Sequence, residues 1–292
     1  MRERDRHVVR LRQSPQGCRH QRGPDRRGTR PMSRIGLRLA YEGTRYSGWQ
    51  VQPNRPTVQG ALADAIRSID PAADSPRGSS RTDAGVHAVG QVAAFDTAAR
   101  LEPGEWLAAI NARLPKDIAV LEAWRAADDF DPVTAATHKR YRYRIHDAAV
   151  RPVLDRRFVW RQPTRLDATA MLSAAGCLVG RHDFSSFEAS PSQRLSKVRT
   201  IHSLTVTRRD SPEAAGGELH IEVEGDGFLY NMVRIIAGTL AMVGRGRRPL
   251  TWVGEVLEAR HRPAAGPTAP PQGLVLLSIR LTDTSPRSQP VS

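Results

Sequence analysis

The stretch His138–Ile145 constrains this chain more than any other, because Tyr141, Tyr143 and Ile145 alternate in it with Arg140, Arg142 and Arg144. A period of two sends successive side chains to opposite faces of an extended backbone, so the segment reads as a strand with an aromatic face and a cationic one. Ile35, Leu37, Leu39 and Tyr41 alternate in the same way and predict another strand. Further strands are expected around Val92–Phe95, Ile118–Trp124, Ile201–Thr207, Leu219–Val223 and Leu274–Leu281, where β-branched and apolar residues lie between turn signals. Helical spacing takes over at Val58, Ala61, Leu62, Ala65, Ile66 and Ile69, behind the N-cap candidate Thr57. Other helices are predicted from Pro103 to about Leu114, from Asp167 to Leu178 before Gly180, over Phe228–Val243 before Gly244, and over Trp252–Leu257.

Strands and helices mix here without strict βαβ alternation, so the expected class is α+β, in two similar halves joined near residues 125–138. The halves are set at 33–135 and 136–283, with 1–32 and 284–292 as disordered tails. No window offers the roughly 18 apolar residues of a spanning helix, and the first residues, MRERDRHVVRLRQ, lack the apolar core of a secretory signal. Cys18 and Cys177, the two cysteines of the chain, make neither a disulfide framework nor a metal-ligand spacing, which fits reduced thiols in the cytoplasm.

The net charge of +14 makes a polyanion the default partner. Half of that excess sits in residues 1–31, where ten arginines face Glu3, Asp5 and Asp25. That tail is expected to be dispensable, or translation to start at Met32. A basic RNA-gripping arm is the sharper alternative.

Three stretches carry chemistry. In SSRTDAGVHAVGQVAAF, Ser79 to Phe95, a polar loop leads into a strand and presents Arg81, Thr82 and Asp83 at the strand entrance. Alone, such a loop also fits a simple turn or cap. In DGFLYNMVRIIAGTLAMVGRG, Arg234 is the single charge between Phe228 and Val243. A guanidinium in apolar surroundings needs a carboxylate or phosphate partner, unless its head reaches water along its stem. Asp83 is the natural candidate. In THKRYRYRI, the tyrosines are either core residues or a platform for a flipped base, and the arginines either a solvated face or a backbone-binding stripe.

Together, and in this order, these stretches resemble the TruA family of tRNA pseudouridine synthases. YEGTRYSGWQ from Tyr41, TVQGALADAI from Thr57, DFSSFE from Asp183, RTI from Arg199 and GPTAPPQGLVL from Gly266 extend the resemblance over about Arg34–Leu281. It implies two ferredoxin-like halves whose antiparallel sheets meet across a central catalytic cleft. It implies Asp83 as the catalytic carboxylate, Tyr141 as the tyrosine that stacks on the target uracil, and Arg234 as the basic partner of Asp83. It also implies Arg81 as the arginine that helps open the RNA, and Leu274 as an apolar wall of the pocket.

The implied reaction isomerises uridine to pseudouridine at positions 38, 39 and 40 of the anticodon stem-loop, without cofactor or metal. Expected partners are tRNA and a second copy of the chain, with neither membrane nor DNA. The sequence departs from the family at Ser80, where glycine is usual; a positive φ there would strain the loop.

Two rival readings remain at this point. One is a tRNA-binding module without catalysis. The other is a sugar hydrolase needing a second carboxylate, for which Asp226 is a conceivable partner although DG before a helix is more simply a turn. His87 reads as a loop-ordering residue before a base, Trp49 as packed core or RNA contact, and GRGRRP at 244–249 as a basic turn.

Overall fold

The computed structural model describes residues 32–189, 196–211 and 216–282. The calls of tails over 1–31 and 284–292, and of an RNA-gripping arm, lie outside the described residues.

The alternating segments form one ten-stranded sheet. Its strands are β1 (Ser33–Tyr41), β2 (Arg77–Gly78), β3 (His87–Thr97), β4 (Ile118–Ala126), β5 (Ala136–His146), β6 (Trp160–Arg161), β7 (Gly180–Asp183), β8 (Val198–Ser211), β9 (Gly216–Gly225) and β10 (Leu274–Leu281). The spatial order is β4-β1-β3-β10-β5-β9-β8-β7, with β2 added to β3 and β6 to β5. Pairing is antiparallel except where β10 meets β3 and β6 meets β5. The fold class is therefore α+β with a mostly antiparallel sheet.

The last strand among the described residues thus sits at the middle of the sheet. β10 pairs along its length with β5, Leu274 facing Tyr143 and Leu276 facing Tyr141. With β3 it pairs in parallel at Val275–His87 and Leu276–Ala88 alone. The approach continues at Gly90, where a Cβ would stand 2.2 Å from the Leu277 carbonyl oxygen, so only glycine fits. This junction brings the start of β3 beside the start of β10, and the loop that precedes β3 against the segment that precedes β10.

Helices α1 (Val58–Arg67), α2 (Pro103–Asn111), α3 (Ala168–Ala175), α4 (Met232–Gly244) and α5 (Trp252–Ala259) supply the rest. Leu62, Ile66, Trp106, Ile110, Met171, Ile236 and Leu240 pack with Leu37, Leu39, Tyr143 and Ile221 in one core cluster. The other sheet face carries a smaller cluster of Val92, Ala94, Trp124, Ala126 and Phe130. Caps follow local chemistry. The Thr57 hydroxyl accepts the Gly60 N–H, the Asp167 carboxylate accepts that of Ala170, and Glu102 with Glu105 closes a capping box before Pro103.

Several boundaries differ from the periodicity. α4 begins at Met232 instead of Phe228, because Asn231 lies at φ 61° and a left-handed residue cannot continue a right-handed helix. β3 begins at His87 instead of Val92, since ladder bonds to β1 and β10 extend it beyond its apolar run. The helix starting at Pro103 ends at Asn111, and the one after Asp167 closes in a 3-10 turn over Gly176–Leu178. β2, β6 and β7, of two to four residues, are too short to show a period.

Candidate active site

Between β2 and β3 the chain leaves the sheet as a loop, and almost every residue of it is tied to a different element. The Ser79 N–H donates to the Val92 carbonyl at 2.8 Å, and the Ser79 carbonyl accepts Lys139 Nζ at 2.8 Å. Gln91, fully buried on β3, treats Ser80 as a paired strand residue. Its Oε1 accepts the Ser80 N–H at 3.1 Å and its Nε2 donates to the Ser80 carbonyl at 2.6 Å. The Thr82 hydroxyl and the Tyr41 hydroxyl share a buried hydrogen bond of 2.8 Å. The Thr82 carbonyl accepts the Trp49 N–H at 3.0 Å. Gly48, at φ 94°, lets the backbone pass there, since its Cβ would stand 2.6 Å from the Thr82 oxygen. Ser80 itself is not among the residues at positive φ, so its replacement of glycine brings no strain.

This bracing aims Asp83 at Arg234. Asp83 Oδ2 lies 3.6 Å from Arg234 Nη1, an ion pair just beyond hydrogen-bond length, with the two side chains 22% and 14% exposed. Arg234 is fixed independently of the acid. Its Nε donates to the Ala269 carbonyl at 2.7 Å and its Nη1 to Asn231 Oδ1 at 2.7 Å, while its own carbonyl accepts the Ala269 N–H at 3.1 Å. Burial raises the Asp83 carboxyl above the usual aspartate range, and the Arg234 charge offsets this only in part. Burial outweighs the arginine because the guanidinium is shared with two neutral acceptors and stands off from the carboxylate.

Tyr141 comes to the same loop from β5. Its hydroxyl lies 2.7 Å from Ser80 Oγ, and its ring meets the Phe228 ring edge-on at 5.2 Å between centroids. Burial pushes its phenol up to about 12. Tyr143, one step along the same face, is fully buried and donates to the Pro270 carbonyl at 2.7 Å. Leu274 is buried at the start of β10, opposite Tyr143. Arg81 is exposed at the front of the loop. Asp83, Arg234 and Tyr141 therefore come together at this loop, whereas Arg81 is exposed two residues before Asp83 and Leu274 is buried opposite Tyr143.

Other expectations resolve toward structure. His87 Nδ1 accepts the Gly43 N–H at 3.0 Å, which leaves Nε2 to donate to the Arg157 carbonyl at 2.9 Å. Burial lowers its pKa, so this neutral ring orders the strand entrance. Trp49 is 1% exposed and belongs to the core. Asp226 is exposed and accepts the Thr200 N–H at 3.1 Å, a turn where β9 ends beside the start of β8. Arg140, Arg142 and Arg144 form ion pairs with Glu222, Glu218 and Asp155. In the basic turn after α4, Arg245 and Arg248 lie over the rings of Trp160 and Trp252. Gln91, Asn231 and Phe228 were missed as contributors to the site. Asn231 alone carried a local signal, three residues before Arg234.

One half-buried carboxylate, one anchored guanidinium and one tyrosine hooked to the same loop make a candidate centre with one carboxylate on an α+β sheet. The family model for tRNA pseudouridine synthase matches residues 39–132 and 174–281. The chain is 47% identical over 259 residues to tRNA pseudouridine synthase A of Myxococcus xanthus, spanning 89% of this chain and 96% of that protein. It is 44% identical to the protein of the same name from Halalkalibacterium halodurans, over 84% of this chain and 91% of that one. A third, from Moorella thermoacetica, is 43% identical, over 83% and 97%. The chain belongs to the tRNA pseudouridine synthase family, isomerases that convert uridine to pseudouridine in tRNA.

Proposed function

We propose that this protein isomerises uridine to pseudouridine at positions 38, 39 and 40 of the tRNA anticodon stem-loop, with Asp83 as the reacting carboxylate. The reading rests on the Asp83–Arg234 pair, an acid and a base from distant parts of the chain held 3.6 Å apart and largely withdrawn from water. The isomerisation breaks the N1–C1′ bond, turns the base and joins C5 to C1′, with the C5 proton lost and N1 protonated. Atoms are conserved, so the demand on the protein is an ionised carboxylate at the sugar and base. Arg234 holds that charge against the cost of burial. A uridine inside a stem must swing out to reach the carboxylate, and Tyr141 is the ring on which it stacks.

Leu274 closes the pocket as an apolar wall, and Arg81, exposed beside Asp83, enters the space the base leaves. Binding to the rest of the tRNA runs through phosphates and shape. The working form is a homodimer in the cytoplasm, each subunit reading as an N-terminal half over 33–135 and a C-terminal half over 136–283. Among the described residues no helix is long and apolar enough to cross a membrane.

The test is pseudouridine formation on an anticodon stem-loop tRNA by wild type and Asp83→Asn, with the product positions mapped. Loss of product at all three positions in the variant is expected; substantial retained activity overturns the assignment. The hydrolase alternative lacks support, since the Asp226 carboxylate is occupied in a turn.

A further inference from the structure

We infer that Ser80 is a positioning residue for the reaction, whose hydroxyl couples the ring of Tyr141 to the Asp83 loop. The inference rests on the reading of Asp83 and Tyr141 given above. Ser80 and Tyr141 come from different parts of the sheet and share a hydrogen bond of 2.7 Å, with both residues buried. A strand tyrosine can tilt about its χ torsions, and a loop can shift as a body. This bond removes both freedoms at once, because Ser80 is itself clamped. Gln91 holds its N–H and its carbonyl at 3.1 and 2.6 Å, and its neighbour Ser79 is bonded to Val92 and to Lys139.

The chain of contacts continues beyond the pair. Gln91 Nε2 lies 3.4 Å from the Tyr41 hydroxyl, which shares a hydrogen bond with Thr82, the residue before Asp83. A buried polar line therefore runs from Thr82 through Tyr41, Gln91 and Ser80 to Tyr141. The carboxylate and the ring are attached to opposite ends of one hydrogen-bonded unit. Buried networks of this kind fix geometry when each member has a partner, and small displacements of a reacting group are costly in rate. The Tyr141 hydroxyl has no chemistry to perform in a stacking role. In this chain the hydroxyl is taken up by the bond to Ser80.

The experiment is a double-mutant cycle on the full chain with tRNA: Ser80→Ala, Tyr141→Phe and the two together, each followed by kcat, KM and melting temperature. Losing one buried hydrogen bond corresponds to roughly a five-fold fall in kcat. The expected result is a fall of that size in each single variant with KM within two-fold of wild type, no further fall in the double variant, and recovery of kcat in Ser80→Thr, which keeps the hydroxyl. An unchanged kcat in Ser80→Ala, additive losses in the double variant, or losses that merely track melting temperature without recovery in Ser80→Thr overturn the inference. Asp83→Asn in the same assay separates the two levels. If it is inactive while Ser80→Ala is normal, the positioning role fails alone; if it is active, the reading of the site fails with it.

Discussion

The two faces of β5 carry the same kind of pattern and end in different physical states. On one face Tyr141 and Tyr143 are buried, and each hydroxyl meets one fixed acceptor or donor, Ser80 in one case and the Pro270 carbonyl in the other. On the other, Arg140 and Arg142 share Glu222 on the neighbouring strand, and Arg144 pairs with Glu218 and Asp155. Read from sequence, the arginines fit either a solvated face or a backbone-binding stripe, and the tyrosines either core or a platform for a flipped base. In the folded protein the arginines are taken up by cross-strand carboxylates, and Tyr141 is the one joined to the acid loop. Counting charges therefore overstates what a strand face has free for RNA. A buried hydroxyl with a single partner places a ring more sharply than a long side chain in water.

The strongest way to break this contrast is at the acid. Asp83→Asn is expected to lower single-turnover pseudouridine formation by about a thousand-fold or more, because a neutral amide can neither add to the substrate nor take a proton. Arg234→Leu comes next, with a loss of about a hundred-fold, since it leaves a half-buried carboxylate without its cation. The direction of its pH effect follows from the same pair. Burial raises the Asp83 pKa and Arg234 opposes it, and activity needs the ionised form. In wild type the acid limb of kcat/KM should lie above the usual aspartate range, and in Arg234→Leu it should move to still higher pH. An acid limb that stays put in the variant would detach Arg234 from the chemistry.

Smaller effects sharpen the comparison. Tyr143→Phe removes the donor to the Pro270 carbonyl, and chemical denaturation should register a loss of about 1 kcal/mol with kcat unchanged. Glu222→Gln, on the arginine face, should cost at most about 1 kcal/mol and leave activity within two-fold. A large loss of activity in Glu222→Gln would show that the arginine face takes part after all. That face also has its own pH signature. Burial works against ionisation of Glu218, but bonds from His220 and Arg144 hold its carboxyl down to about 2. A depressed carboxylate stabilises the fold above its ordinary value and loses that contribution as pH falls. The arginine face should therefore weaken between about 4.5 and about 2.

Sequence alone determined the elements and the chemical parts. Alternation marked β1 and β5, because burial on one side of a strand imprints a period of two. The lone charge in an apolar run marked Arg234 as needing an acid, because an unpaired buried guanidinium is too costly to keep. The order of the motifs marked Asp83 and Tyr141. Other features depended on residues far apart in the chain. The parallel contact of β10 with β3 puts the last strand among the described residues at the centre of the sheet. The left-handed Asn231 delays α4 and hands its side chain to Arg234. The depth of burial lets desolvation outweigh the arginine at Asp83, and the cross-strand glutamates consume the arginines. Ser80, a mild irregularity in a motif, became the partner of Tyr141. Local periodicity records which side of an element is covered, but not by which residue, and it is the identity of the neighbour that sets a pKa, closes a hydrogen bond or leaves a charge free.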